Sequence, residues 1–496
     1  MHTSQHLPSE RRAAGVLLHP TSLPGRYGIG DLGDELIVFL DWAASAGMRL
    51  WQVLPLNPPG YGDSPYGCVS SFAGNPLLIS PQRLLHDNLL EPEDVAEVPR
   101  FADERVELDV VAPLKYDLLR RAWERFADDS ALDAFVREHR DWLDDYALFM
   151  SLKKHAGGAP WWKWERKLAR REDAALKRAR AEHADEIAFW KFVQFVFFRQ
   201  WSEVREAASA RGIRIIGDVP IYVACDSADV WGHRDLFELD ASGHPSVVAG
   251  VPPDYFSATG QRWGNPLYRW DRMREKKYAW WIARVRTNLR FADLLRLDHF
   301  RGFVAYWEIP ASEPTAVHGR WMPGPGRELF DALRGALGEL PLIAEDLGFI
   351  TQDVHDLRAA IGVPGMRILQ FGFSQNDSPH LPHRYEPQTV VYSGTHDNDT
   401  ARGWFATASD DEREAASAYL GCDGDSVASC LIRAAYTSVA EMAIVPMQDI
   451  LDLGSEARMN RPGAEKDNWT WRLLPGALTH QHAAKLRRLA EITGRI

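Results

Sequence analysis

Cysteine is scarce in this chain. Four occur in 496 residues, at Cys68, Cys225, Cys422 and Cys430, and no two form a C-x-x-C pair. A disulfide framework and a cysteine zinc site are therefore not expected, and a reducing compartment, the cytoplasm, is. Long apolar runs are also missing. The most apolar stretch, 192–198, is short and is broken by Gln194. The residues after Met1 are polar and lead to Arg11-Arg12, with no apolar signal core behind them. No membrane span and no membrane partner are expected. Positive charge is in deficit, with 57 Lys and Arg against 69 Asp and Glu and a net charge of -12. Non-specific nucleic-acid binding needs a basic face for the phosphates, so no nucleic-acid partner is expected. There is no Walker loop and no H-E-x-x-H, and the 17 His are dispersed, so no metal site is expected. Internal repeats and low-complexity tracts are absent.

What is present is an ordinary globular composition, 45% hydrophobic and 25% charged. The 19 Trp are many. Flat rings with an N–H suit either a core or a sugar-binding groove, and the count alone favours packing. Eight short apolar or β-branched runs read as strands: 15–18, 50–56, 213–216, 294–297, 340–344, 366–371, 390–393 and 443–447. Amphipathic helical stretches lie between most of them, as at 34–46, 278–290 and 410–441. Eight alternations of strand and helix predict a (β/α)8 TIM barrel, in the α/β class. A doubly wound sheet is the competitor, and the number of runs favours the barrel. Residues 1–496 then read as one catalytic domain with two insertions. The first, 81–211, is rich in Arg, Glu, Asp and Ala and reads as a mostly helical subdomain whose charge runs are solvated helix faces. The second, 226–271, is rich in Gly, Pro and aromatics and reads as a loop-rich insertion over the active site.

In a barrel of this kind the chemistry sits at the C-terminal ends of the strands. Five of the runs end in acids: Asp218, Asp298, Glu345-Asp346, His396-Asp397 and Asp449. One such acid is usually a cap or turn residue, but five point to an acid-lined pocket. Acid-lined pockets bind hard cations or run acid/base and oxocarbenium chemistry. Arg296 stands two residues before Asp298, on the same side of the strand. Its guanidinium holds Asp298 ionised, which suits a nucleophile and weakens a cation site. Glu345 would face the anions Asp298 and Asp397, which raise its pKa as a general acid requires. One carboxyl kept charged and one pushed toward neutral is the division of labour of a retaining glycosidase. Spacing alone leaves a second reading of Asp298 open, a buried ion pair with Arg296 that only braces the barrel. For Asp218, Asp346 and Asp449 taken singly, bracing is the favoured role.

Gly28-Ile29-Gly30-Asp31-Leu32-Gly33 matches G-x-G-x-x-G between a strand and a helix. Pro20 and Pro24 lengthen its loop, and the next run ends in Asn57-Pro58-Pro59 with no acid for a ribose, so a dinucleotide site is rejected. The Gly- and Pro-stiffened segments 57–66 and 250–266 present aromatic side chains, and Gly250 and Gly260 could hinge a lid. Each is an ordinary rigid turn when taken alone. Together over one barrel face they favour a glycan groove.

With these residues in view the chain resembles the amylomaltases, also called 4-α-glucanotransferases or disproportionating enzymes. The likeness runs from Gly15-Val16-Leu17-Leu18-His19-Pro20 to Asn468-Trp469-Thr470-Trp471-Arg472. Its most specific pieces are Gly62-Asp63-Ser64-Pro65-Tyr66, Gly217-Asp218-Val219-Pro220, Arg296-Leu297-Asp298-His299-Phe300-Arg301-Gly302, Ala344-Glu345-Asp346-Leu347-Gly348 and Gly394-Thr395-His396-Asp397-Asn398. The resemblance implies a barrel with subdomain insertions and no separate C-terminal β-domain. It implies Asp298 as nucleophile, Glu345 as acid/base and Asp397 as the acid that holds sugar hydroxyls in the transition state. It puts Arg296, His396 and Asp218 in the reacting subsite, with Tyr66, Asp254, Gln261, Trp263 and Asn460 along the glucan chain. Tyr61 matches an aromatic position of a second, surface glucan site. Donor and acceptor would be α-1,4-glucans and maltooligosaccharides, with no cofactor and no metal. A hydrolase using the same acids is the alternative. Gly67-Cys68 and the approach to Asn468 depart from the family pattern.

Overall fold

The computed structural model describes residues 12–127, 129–253, 257–422, 424–464 and 466–496, and of Tyr61 and Asp425 the backbone alone. The strands are β1 (Ala13–Leu17), β2 (Leu50–Gln52), β3 (Arg214–Val219), β4 (Val247–Val251), β5 (Gln261–Pro266), β6 (Leu294–Leu297), β7 (Ala305–Pro310), β8 (Arg320–Pro323), β9 (Leu342–Ala344), β10 (Gly365–Ile368), β11 (Thr389–Tyr392) and β12 (Met442–Pro446). Eight of them form one parallel sheet in the order β10-β11-β12-β1-β2-β3-β6-β9. Its two end strands meet where the Ala344 N–H donates to the Pro364 carbonyl at 2.9 Å and the Asp346 carboxylate accepts the Met366 N–H at 2.7 Å. The sheet thus closes into the (β/α)8 barrel, built from the eight apolar runs of the sequence. Strands buried on both faces need near-continuous apolar sequence, and β1 (Ala-Ala-Gly-Val-Leu), β11 (Thr-Val-Val-Tyr) and β12 (Met-Ala-Ile-Val-Pro) are buried throughout.

The amphipathic stretches at 34–46 and 278–290 form the helices Asp34–Ser45 and Ala279–Phe291. The stretch 410–441 is not one helix. It divides into Asp410–Leu420 and Val427–Thr437, because Gly421 takes the left-handed conformation (φ 65°) that ends the first.

Between β2 and β3, helices occupy Pro81–His86, Leu108–Arg125, Ser130–His155, Arg166–Ala169, Asp173–Glu182 and Ala184–Ala210. The last of these returns to the barrel wall, where Trp201 packs on Trp51 of β2 at 6.0 Å. Gln194, the polar break in its apolar run, is fully buried. Its amide donates to the Gly74 carbonyl (2.9 Å) and accepts the Gly74 N–H (2.8 Å). Gln200 does the same for Ser80, so this helix clamps the loop leaving β2. A buried backbone segment without such partners would be costly.

Residues 226–271 hold more than loops. β4 and β5 pair antiparallel, β4 pairs with β7, and β8 completes a sheet in the order β5-β4-β7-β8. The pattern hid these strands for two reasons. β5 reads Gln-Arg-Trp-Gly-Asn-Pro, with no apolar alternation, and the partners β7 and β8 lie beyond β6. A Cβ on Gly250 would stand 2.2 Å from the Gln261 carbonyl oxygen, so glycine is what lets this hairpin close. The G-x-G-x-x-G loop is filled by the chain itself. Asp31 accepts the Gly33 N–H (3.0 Å) and pairs with the buried Lys115 ammonium (3.2 Å).

Most of the tryptophans serve packing. Trp51, Trp161, Trp201, Trp231 and Trp281 are fully buried, whereas Trp263 is 38% exposed. Among the described residues, no helix is long and apolar enough to cross a membrane.

Candidate active site

The barrel brings its strand-end acids to one mouth. Asp298 follows β6, its N–H donating to the Val219 carbonyl of β3 at 3.0 Å. Glu345 follows β9, its N–H donating to the Leu297 carbonyl of β6 at 3.1 Å. Backbone bonds to the neighbouring strand therefore fix both acids where the strands end.

Arg296 organises the first half of the site. It is buried, and one terminal nitrogen donates to both oxygens of Asp218 at 2.8 and 2.7 Å. The other terminal nitrogen meets Asp298 Oδ1 at 2.9 Å. Burial opposes its charge, but Asp218 and then Asp298 outweigh that and hold the guanidinium protonated. Both carboxylates pair with Arg296, but the Asp218 side chain is fully enclosed while the Asp298 side chain is 29% exposed.

Glu345 is buried and its carboxyl is pushed well above the usual carboxylate range. Burial is the main cause and Asp298 the second, with Asp346 adding to them and Arg296 opposing. The sequence argument named Asp298 among the causes and missed burial, which is the larger one. Two backbone donors also reach the carboxyl, the His299 N–H on Oε2 at 2.7 Å and the Leu347 N–H on Oε1 at 3.0 Å. They favour its charged form, the form a general acid takes after giving up its proton.

The second half of the site is a chain of polar contacts. The Tyr66 hydroxyl donates to Asp218 Oδ2 at 2.8 Å and lies 2.8 Å from His396 Nε2. The two rings stack with centroids 5.2 Å apart. His396 Nε2 is 3.4 Å from Asp397 Oδ1, and the Asn460 amide donates to that oxygen at 2.6 Å. The Asn460 N–H in turn donates to the His396 carbonyl at 3.1 Å. Asp298, Arg296, Asp218, Tyr66, His396, Asp397 and Asn460 thus form one continuous network. Asn468, at one of the departures from the family pattern, staples the loop that carries Asn460. Its side chain accepts the Arg461 N–H (2.8 Å) and donates to the Ala464 carbonyl (2.9 Å).

Gln261 and Trp263 lie on β5, with the Trp263 indole N–H donating to Gln261 Oε1 at 3.0 Å. The Trp263 ring meets His299 edge to face at 4.8 Å, one residue from Asp298. Asp254 lies outside the described residues, as does the side chain of Tyr61. Asp346 and Asp449 are braces. Asp346 seals the β9–β10 seam, and Asp449 accepts the Ser393 hydroxyl (2.6 Å) and the Ala401 N–H (2.7 Å).

Sequence reasoning gave His299 no role, yet its backbone N–H holds Glu345 and its ring touches Trp263. Its left-handed backbone (φ 50°) was the signal missing from the sequence, because nothing in the residue type announces it. Burial lowers the His299 imidazole to about 4, so the ring is neutral.

Comparison with known proteins places the whole chain among its relatives. A family model described as 4-alpha-glucanotransferase matches residues 18–478. The 4-alpha-glucanotransferase of Thermus thermophilus is 50% identical over 500 residues, covering 98% of this chain and 99% of the relative. That of Synechocystis sp. is 47% identical over 497 residues, covering 98% of each. Among solved structures, an amylomaltase from Streptococcus agalactiae in complex with acarbose superposes with a TM-score of 0.95 at 38% identity, covering 98% of this chain and 99% of that one.

Proposed function

The chain belongs to the 4-alpha-glucanotransferase family, and on that premise we propose that Asp298 is the nucleophile and Glu345 the acid/base of a retaining transfer. The enzyme moves α-1,4-glucan segments between maltooligosaccharides and starch-type glucans by double displacement. The observation that carries the residue assignment is the opposite treatment of two neighbouring carboxyls. Arg296 grips Asp298, while Glu345 is buried and pushed toward its neutral form.

In the first step an Asp298 oxygen bonds to the anomeric carbon while the bond to the leaving oxygen breaks. Glu345 gives that oxygen its proton. The charge left on Glu345 meets the His299 and Leu347 N–H donors. In the second step the 4-hydroxyl of an incoming glucan gives its proton to Glu345 and displaces Asp298 from the anomeric carbon. Asp397, His396 and Asn460 hold hydroxyls of the reacting sugar, and Arg296, Asp218 and Tyr66 keep the nucleophile's surroundings rigid. Gln261 and Trp263 carry the chain beyond it, with Asp254 assigned to the same stretch and Tyr61 to a surface site by family resemblance.

Maltotriose tests this reading. The expected products are glucose and a ladder of longer maltooligosaccharides at a constant number of reducing ends. Rising reducing ends without longer products would mean hydrolysis and defeat the transfer assignment. The free state of Cys68, Cys225 and Cys430 supports the cytoplasm as the location. The barrel and its insertions 81–211 and 226–271 form one catalytic unit in this reading.

A further inference from the structure

We propose that a single water molecule held between His19 and His396 fixes the tautomer of His396, which makes His19 a positioning residue of the transfer reaction. The proposal rests on the reading of His396 as part of the reacting subsite.

The argument is a proton count. Tyr66 has one hydroxyl proton, and it goes to Asp218 Oδ2 at 2.8 Å. Asp218 is the acceptor: burial raises its carboxyl, Arg296 opposes that, and one Arg296 nitrogen donates to both of its oxygens. Burial and then Asp218 push the Tyr66 phenol well above its usual range, so the proton stays. The same hydroxyl oxygen lies 2.8 Å from His396 Nε2. With its proton committed it can only accept there, so Nε2 must carry a hydrogen. Asp397 Oδ1, 3.4 Å from Nε2, asks for the same hydrogen. In a neutral ring Nδ1 is then a bare lone pair. His396 is 5% exposed, and its Nδ1 is buried with no hydrogen-bond partner among the described residues. A buried acceptor without a donor is a rarity that needs an explanation.

His19 repeats the same condition. It follows β1, is 6% exposed, and its Nδ1 is also buried and unpartnered. Burial is the main cause that lowers its imidazole to about 3, so it is neutral. Both histidines line one cavity of about 30 Å³ between the ends of β1, β11 and β12. That volume takes one or two waters. The Thr395 hydroxyl in the same wall is already donated to Asn398 Oδ1 at 2.9 Å. A water carries two hydrogens, and each of the two histidines in the cavity wall has a buried Nδ1 without a hydrogen-bond partner among the described residues. One water donating to each ring satisfies both. It also forbids the other tautomer, which would turn a bare Nε2 toward Tyr66 and the Asp397 carboxylate. The His396 donor then stays aimed at Asp397 and the sugar.

The test uses the full-length enzyme with ¹⁵N-labelled histidine, the His396 signals being identified by their loss in His396→Gln. The wild type is expected to show a protonated Nε2 and a bare Nδ1. His19→Phe keeps the bulk and removes the acceptor. It is expected to redistribute the His396 tautomers and lower kcat on maltotriose about tenfold, with KM within about twofold, the lower end for a residue that orients a functional histidine. In His19→Asn the amide oxygen stands near the place of Nδ1, and kcat is expected to recover to within about threefold of wild type, with the tautomer restored. A protonated Nδ1 in the wild type, or His19→Phe with tautomer and kcat unchanged, overturns the proposal. If His19→Phe does not fold, a crystal structure of the wild type that orders single waters decides. A water bonded to both Nδ1 atoms supports the proposal, and no water or one bonded to a single ring overturns it. Failure of the underlying site reading looks different, because His396→Gln would then keep full transfer activity.

Discussion

The Glu345 carboxyl offers the sharpest test of how the site works, because its two main perturbations can be separated. Burial comes first and the Asp298 charge second. Asp298→Asn removes the charge and leaves the burial. A retaining pair stands about 5.5 Å apart, and at an effective dielectric constant of about 20 two unit charges at that distance repel by about 3 kcal/mol. The Glu345 pKa is therefore expected to fall in Asp298→Asn and still to stay above the ordinary glutamate value, because the burial remains. Asp397→Asn is expected to lower it less than Asp298→Asn does, since Asp298 is the carboxylate with the largest effect on Glu345. Carbon-13 titration of carboxyl-labelled glutamate reads this directly, with the Glu345 signal assigned through Glu345→Gln. The measurement does not depend on turnover, which Asp298→Asn should abolish while glucan binding persists. An unchanged Glu345 pKa in Asp298→Asn, or an equal fall in Asp397→Asn, would refute the electrostatic reasoning.

Asp449 is a buried brace whose carboxyl is raised to about 6, burial being the main cause. Its folded-state value lies above the unfolded one, so its contribution to stability is full below about pH 4 and is lost as pH rises through about 6, by about 3 kcal/mol. Urea unfolding across that window should show a wild-type decline that Asp449→Asn lacks, and parallel curves would contradict it. Gln194→Leu leaves the Gly74 N–H and carbonyl unpaired in the core and is expected to cost about 2–5 kcal/mol, visible as a lower urea midpoint. Trp263→Ala removes an exposed ring at the groove. Its KM for maltotriose is expected to rise about fivefold, with thermal stability little changed, and a large fall in stability with KM intact would mean the ring serves packing.

Much of the site was legible because its chemistry is local in sequence. Arg296 and Asp298 share a strand face by the period of two, and the 2.9 Å contact between them follows from that spacing. Acids after apolar runs marked the strand ends, since a barrel mouth is where polar residues can leave the core. The eight runs themselves were readable because strands buried on both faces must be apolar throughout. The sheet formed by β4, β5, β7 and β8 was not readable. Its strands are short, half exposed and paired across β6, and exposed strands carry weak patterns.

The amino-acid order by itself thus determined the barrel, the acids at its mouth and the pairing of Arg296 with Asp298, all set by neighbours along one strand or by periodic burial. Only the tertiary structure decided how those acids differ. It enclosed the Asp218 side chain and left that of Asp298 partly exposed. It made burial rather than Asp397 the main pressure on Glu345, and it joined Tyr66 to His396 across 330 residues. Those outcomes depend on desolvation and on contacts between distant segments, and neither is set until the chain has closed around the site.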